Sequence, residues 1–121
     1  MTVVSTLDVT DLTASEYRAV MDELGVEHRP EGGIYLHLTT PTDFGYRIVE
    51  IWDEKANFDR FVEHRLVPAN EAGGIDRATE ITVTPLHNLF APRLEELPGI
   101  ISSLPGAPSS EAAQKARAGD A

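Results

Sequence analysis

Arg65 stands, at helical spacing, among Phe58, Phe61, Val62 and Ala69, in the middle of an otherwise apolar stripe. A guanidinium buried without a partner is prohibitively costly. It must therefore meet a carboxylate, a backbone carbonyl or an anionic ligand, or extend its stem to carry its head group to water. Glu50 is the natural partner. It lies between Val49 and Ile51 and shares a strand face with Ile48 and Trp52, so it meets Arg65 if that face looks toward the helices. Two uses of the pair stand side by side: a buried structural ion pair, or a fixed cation that steadies an enolate or carboxylate in a dry pocket. Trp52 closes its strand directly before a helix. There an indole can wall a cavity and donate one hydrogen bond, or simply anchor strand to helix in the core.

His37 and His87 fall on strands, while His28 and His64 are surface positions. Nothing in the sequence pairs either strand histidine with a nucleophile, so a dimer-interface or structural role is expected for them. Metal-ligand spacing on one element, a glycine-rich phosphate loop and a nucleophile elbow are all missing, which disfavours metal, nucleotide and acyl-serine enzymes. With no cysteine, disulfides, thiolate metal sites and cysteine nucleophiles drop out together, as suits a reducing cytoplasm. A net charge of −10, with no local Lys/Arg cluster, sets the surface against nucleic acid and anionic lipid. Met1 to Val9 does not read as a signal peptide, and no segment is long enough to span a bilayer. A cytoplasmic, soluble protein is expected.

The elements that must position these residues follow from patterning. The chain has 121 residues, 41% of them hydrophobic and 25% charged, enough for one ordinary globular core. Val3 to Val9 reads as a strand. Thr13 and Glu16 form a capping box, and Tyr17, Val20, Met21 and Leu24 recur at i, i+3, i+4 and i+7 before the C-terminal stop at Gly25. Ile34 to Thr39 alternates as a half-buried strand, Pro41 to Gly45 is a turn, and Tyr46 to Trp52 is the hairpin partner. Asp53 is expected to cap a second helix that carries Phe58, Phe61, Val62, Leu66 and Ala69 on one face, with Pro68 ending or kinking it. Thr79 to His87 is the last strand, with Pro85 near its end. The order β-α-β-β-α-β predicts a ferredoxin-like α+β fold: a four-stranded antiparallel sheet with two helices on one face. The bare face, with Tyr35, His37 and Thr39, is expected to be buried against a second copy in a homodimer. Residues 1–90 form this domain. Residues 91–121 form a C-terminal extension, in which Leu94, Leu97, Ile100, Ile101 and Leu104 can dock and the part from Pro105 onward is expected to be disordered.

The strand Val3 to Asp8, the run Tyr46-Arg47-Ile48-Val49-Glu50-Ile51-Trp52-Asp53 leading into Asn57-Phe58-Asp59-Arg60-Phe61, and the segment Arg65-Leu66-Val67-Pro68-Ala69 together carry a resemblance. Over Thr2 to Phe90 the chain resembles the antibiotic biosynthesis monooxygenase-like members of the dimeric α+β barrel superfamily. That resemblance implies a dimer of ferredoxin-like subunits with a pocket between sheet and helices. In catalytic members the pocket takes aromatic or polyketide-like substrates without metal or flavin, so no cofactor is expected. The helix histidine that many members carry falls on Phe61 here, and only Trp52 carries over residue by residue. No catalytic residue is assigned from the sequence; the substrate-pocket candidates are Trp52, Arg65, Glu50, His37 and Phe61. Two functions follow: a cofactor-independent monooxygenase acting on a hydrophobic or aromatic small molecule, or a non-catalytic homodimer that binds a small molecule or a protein partner. Arg65→Met should abolish turnover under the first and mainly cost stability under the second.

Overall fold

The computed structural model describes residues 1–108. Four strands, β1 (Val3–Thr10), β2 (Ile34–Pro41), β3 (Gly45–Trp52) and β4 (Thr79–Pro85), form one antiparallel sheet in the order β2-β3-β1-β4. Helix α1 (Ala14–Leu24) connects β1 to β2. A composite helix connects β3 to β4: α2 (Lys55–Phe61), a π-helical turn (Val62–Leu66) and α3 (Val67–Ala72). This is the ferredoxin-like α+β arrangement expected from the element order.

Local chemistry sets α1 firmly. The Thr13 hydroxyl accepts from the Glu16 N–H at 3.1 Å and the Glu16 carboxylate accepts from the Thr13 N–H at 3.0 Å. At the other end Gly25 adopts φ 67 and donates its N–H to the Met21 carbonyl at 2.9 Å, the left-handed stop that glycine takes without a Cβ penalty. A second glycine is required by close approach: a Cβ on Gly45 would lie 2.2 Å from the Val9 carbonyl oxygen, where β3 begins against β1.

Strand β1 alternates strictly, burying Val3, Ser5, Leu7 and Val9. The pairing register sets Trp52, Glu50, Ile48 and Tyr46 of β3 beside them, so these residues share the helix-covered face. The core there joins Val3, Leu7, Val20, Leu24, Trp52 and Phe58. Strand β2 departs from the expected parity. A bulge between Ile34 and Leu36 inserts one residue into the pairing with β3, and His37 then lies opposite Glu50 and Thr39 opposite Ile48. An extra residue flips every later side chain to the other face. His37 and Thr39 therefore face the helices, not the bare face, whereas Leu38 is exposed and Tyr35, at the bulge, is 68% exposed.

The second connection also differs from expectation. The cap position of α2 is Glu54, with no side-chain hydrogen bond, and Asp53 instead accepts from Asn57 Nδ2 at 2.8 Å. The helix does not simply kink at Pro68. It widens just before it, with the Val67 N–H reaching back five residues to the Val62 carbonyl. The expected stripe nevertheless survives the π turn: Phe58, Phe61 and Ala69 are buried in the core, and Val62 and Leu66 pack against it. Strand β4 stops at Pro85, two residues before His87, although the Leu86 N–H still donates to the Thr2 carbonyl at 3.0 Å.

Past β4 the chain forms a 3₁₀ turn (Leu94–Glu96) and a short helix α4 (Leu97–Ile101). Leu94, Ile100, Ile101 and Leu104 remain exposed. The segment meets the body at Gly106, whose carbonyl accepts from Arg18 Nη1 at 2.5 Å. Residues 105–108 are turn and irregular chain; the rest of the stretch expected to be disordered lies outside the described residues. Among the described residues no helix is long and apolar enough to cross a membrane.

Candidate active site

The register places one polar row across three strands on the helix-covered face: Ser5, Glu50 and His37 are cross-strand neighbours in turn, and Val83 continues the row on β4. The rows on either side are mostly apolar, Pro85-Val3-Trp52-Ile34 and Ile81-Leu7-Ile48-Thr39. Glu50 is 5% exposed, and a carboxylate at that depth must be surrounded by donors. It is. Trp52 Nε1 donates to Glu50 Oε1 at 3.1 Å, the Ser5 hydroxyl donates to the same oxygen at 3.5 Å, and His37 Nδ1 lies 2.8 Å from Oε2.

The chain of bonds continues outward from His37. The Tyr17 hydroxyl lies 2.8 Å from His37 Nε2, and the Thr39 hydroxyl donates to the Tyr17 oxygen at 3.0 Å while lying 3.1 Å from the same Nε2. A carboxylate has only acceptors, so Glu50 assigns the hydrogen to His37 Nδ1 and leaves Nε2 as the acceptor for the Tyr17 O–H. Every bond then points the same way, from Thr39 to Tyr17 to His37 to Glu50. The Tyr17 ring lies near-parallel to the His37 ring (6.1 Å, 23°) and to the Tyr46 ring (6.3 Å, 14°). Burial pushes the Tyr17 hydroxyl above its ordinary value of 10.0, against the smaller opposing effect of the Thr39 hydrogen bond. Among the described residues no buried side-chain nitrogen or oxygen lacks a hydrogen-bond partner.

Trp52, 1% exposed, supports this network from the apolar side. Phe58 meets it edge-on at 5.9 Å and Phe61 lies tilted at 5.5 Å. Beyond Phe58 opens a cleft of about 380 Å³ between α2 and β4, lined by Phe58, Val62, Ile81 and Val83 with the Lys55–Asp59 ion pair beside them. Its floor residue Val83 is the strand neighbour of Ser5. The cleft and the polar network are thus separated by the thickness of Trp52, Phe58 and Ser5.

Four of the residues singled out from the sequence, Phe61, Trp52, Glu50 and His37, form one continuous cluster. Arg65 does not join it. Its head group reaches out to a half-exposed position (46%), where it pairs with Glu31 and donates to the Leu24 carbonyl at 2.8 Å, beside a separate hollow of about 190 Å³. The expected Glu50–Arg65 pair is replaced by Glu50–His37. Tyr17, Ser5 and Thr39 were not anticipated. Tyr17 leads the apolar stripe of α1 and so reads as core, while the sequence signal for Ser5 is its phase: a polar residue at the inward positions of Val3, Leu7 and Val9. Among the described residues no three His, Cys, Asp or Glu side chains gather as a metal site.

No protein-family model matches the sequence, and no curated protein matches it. Solved structures do. SnoaB of Streptomyces nogalater, a cofactor-independent oxygenase, superposes at TM-score 0.52 with 16% identity over 73% of this chain and 93% of its own. A candidate antibiotic biosynthesis monooxygenase of Deinococcus radiodurans gives 0.55 with 17% identity over 75% and 97%. Another such candidate, from Caulobacter crescentus, gives 0.51 with 22% identity over 72% and 89%. At these identities what is shared is the fold, and the resemblance drawn from the strand–tryptophan–helix junction leads to that same fold: this chain is built on the ferredoxin-like scaffold that these antibiotic biosynthesis monooxygenase-like proteins use.

Proposed function

We propose that this protein is a small-molecule enzyme, a cofactor-independent oxygenase of hydrophobic, weakly acidic aromatic compounds, working as a homodimer paired through its helix-free sheet face. The observation that supports it most is the directed chain from Tyr17 through His37 to Glu50, a base held in apolar surroundings on a scaffold shared with an oxygenase that needs no cofactor. A carboxylate behind an imidazole fixes its tautomer and stabilises the imidazolium formed when it takes a proton. The substrate class follows from the chemistry. A carbon acid flanked by aromatic rings gives, on losing its proton, an anion rich enough in electrons to reduce dioxygen itself. The balance is R₂CH₂ + O₂ → R₂C=O + H₂O: the carbon is oxidised, one oxygen atom enters the product and the other leaves as water.

The second reading, a non-catalytic binding dimer, is favoured by one observation: among the described residues every buried side-chain polar atom has a protein partner without a ligand. Oxygen uptake with anthrone separates the two. The enzyme reading expects uptake above the buffer rate, matched by anthraquinone formation, and a loss of about 10²-fold or more in His37→Ala. Uptake at the buffer rate despite measurable anthrone binding would leave the binding dimer as the function.

A further inference from the structure

His37 has no nitrogen left with which to touch a substrate. Nδ1 is committed to Glu50, and Nε2 is covered by the Tyr17 hydroxyl at 2.8 Å and the Thr39 hydroxyl at 3.1 Å. We propose that Tyr17, rather than His37, is the catalytic residue of this site, the group that meets the substrate and passes its proton inward. This deepens the reading of the network as a base and rests on it.

The phenolic oxygen is equipped for that role. It donates one hydrogen bond, to His37, and accepts one, from Thr39, which leaves one lone pair uncommitted. The ring is held in place: it packs near-parallel to the rings of His37 and Tyr46, and its backbone lies in the first turns of a helix with both caps in place. In the transfer, the substrate C–H bond breaks as a new O–H bond forms at Tyr17. The original Tyr17 O–H bond breaks as a bond forms to His37 Nε2. One proton has then moved from substrate to His37, the imidazolium lies against the Glu50 carboxylate, and no electrons have left the substrate. Burial raises the hydroxyl's proton affinity, which makes the phenolate a strong base once the imidazolium beside it offsets the cost of forming it. The charged groups that face Tyr17 are Glu50 through His37, and Arg18 and Glu27, which pair with each other at the outer end of α1.

Near the ring the C-terminal segment returns to the body. Arg18, next in sequence, holds the Gly106 carbonyl, and a Cβ built on Gly106 would lie 3.8 Å from Tyr17 Cε2. This segment therefore borders Tyr17 on its outer side, at the opposite end of the sheet from the α2/β4 cleft.

Deuterium wash-in tests the step without oxygen. Under anaerobic conditions in D₂O, the wild-type protein should accelerate exchange of the anthrone methylene hydrogens, read by mass spectrometry. Tyr17→Phe should lose about 10²-fold or more of that acceleration while quenching of Trp52 fluorescence by anthrone is unchanged. A fluorotyrosine at position 17, with a more acidic hydroxyl and the same fold, should move the pH profile of exchange downward, which a merely structural tyrosine would not do. If Tyr17→Phe exchanges at the wild-type rate while His37→Ala is silent, the inference is overturned and the base reading stands. If the wild-type protein gives no acceleration, both fall.

Discussion

The two ends of the helix-covered sheet surface have been built in opposite ways. At the α1/β2 end, Tyr17 closes over His37 and Thr39, and no buried side-chain polar atom among the described residues is left without a partner. At the α2/β4 end, the edge strand is only partly covered, Ile81 is 43% exposed, and an open apolar cleft remains. One end holds the chemistry and the other the empty space, with Trp52 as the wall between them. The difference teaches that empty volume and aligned hydrogen bonds lie in different parts of this molecule. A hydrophobic ligand gains from burial anywhere, but a proton moves only where donors and acceptors are aligned within hydrogen-bond reach.

The largest expected effect comes from removing the wall. Trp52→Ala should cost about 3–5 kcal/mol in denaturant unfolding, since it opens a void beside Phe58 and Phe61 and also leaves Glu50 one donor short. Glu50→Gln is smaller in stability, about 1–3 kcal/mol, but it sharpens the comparison more. An amide facing His37 can donate to Nδ1, which moves the ring hydrogen to Nε2 and reverses the chain, so proton transfer should be lost in a protein that still folds.

The pH dependence of stability separates the ends again. Burial holds the Tyr17 hydroxyl above its ordinary value of 10.0, so the unfolded chain ionises first. The stabilisation is fully present below about pH 10 and is lost as the pH rises through the folded value. Tyr17→Phe should lack this part of the alkaline loss in thermal melts taken across that range. Arg65→Met, which on the sequence alone would abolish turnover in an enzyme or mainly cost stability in a binding dimer, should change stability by no more than about 1 kcal/mol and leave anthrone exchange untouched. Smallest is Ile81→Asp, within about 0.5 kcal/mol of wild type. A large loss of exchange in that variant would break the comparison by placing the substrate in the cleft.

Much of this was legible in the sequence. The capping box at Thr13 and Glu16, the left-handed stop at Gly25 and the split βαβ order are local signals, and local geometry obeyed them. Glu50, Trp52 and Phe61 were found because a polar or aromatic residue at an inward position must be accounted for. The bulge in β2 turned His37 and Thr39 inward, because one extra residue shifts the two-residue period on which the strand reading depends. Arg65 missed Glu50 because its long side chain reaches a nearer carboxylate, Glu31, and the Leu24 carbonyl. Tyr17 was hidden for another reason. On an apolar helical stripe its ring reads as core, and only its partners on β2 show what the hydroxyl is for.

The direction of the hydrogen-bond chain is the central claim, and nitrogen-15 NMR of the His37 ring tests it most directly. A protonated Nδ1 with an unprotonated, hydrogen-bond-accepting Nε2 is expected in the wild-type protein, with the two exchanged in Glu50→Gln. A wild-type ring with its hydrogen on Nε2 and none on Nδ1 would mean that the chain runs the other way, and that Tyr17 has no base to receive its proton.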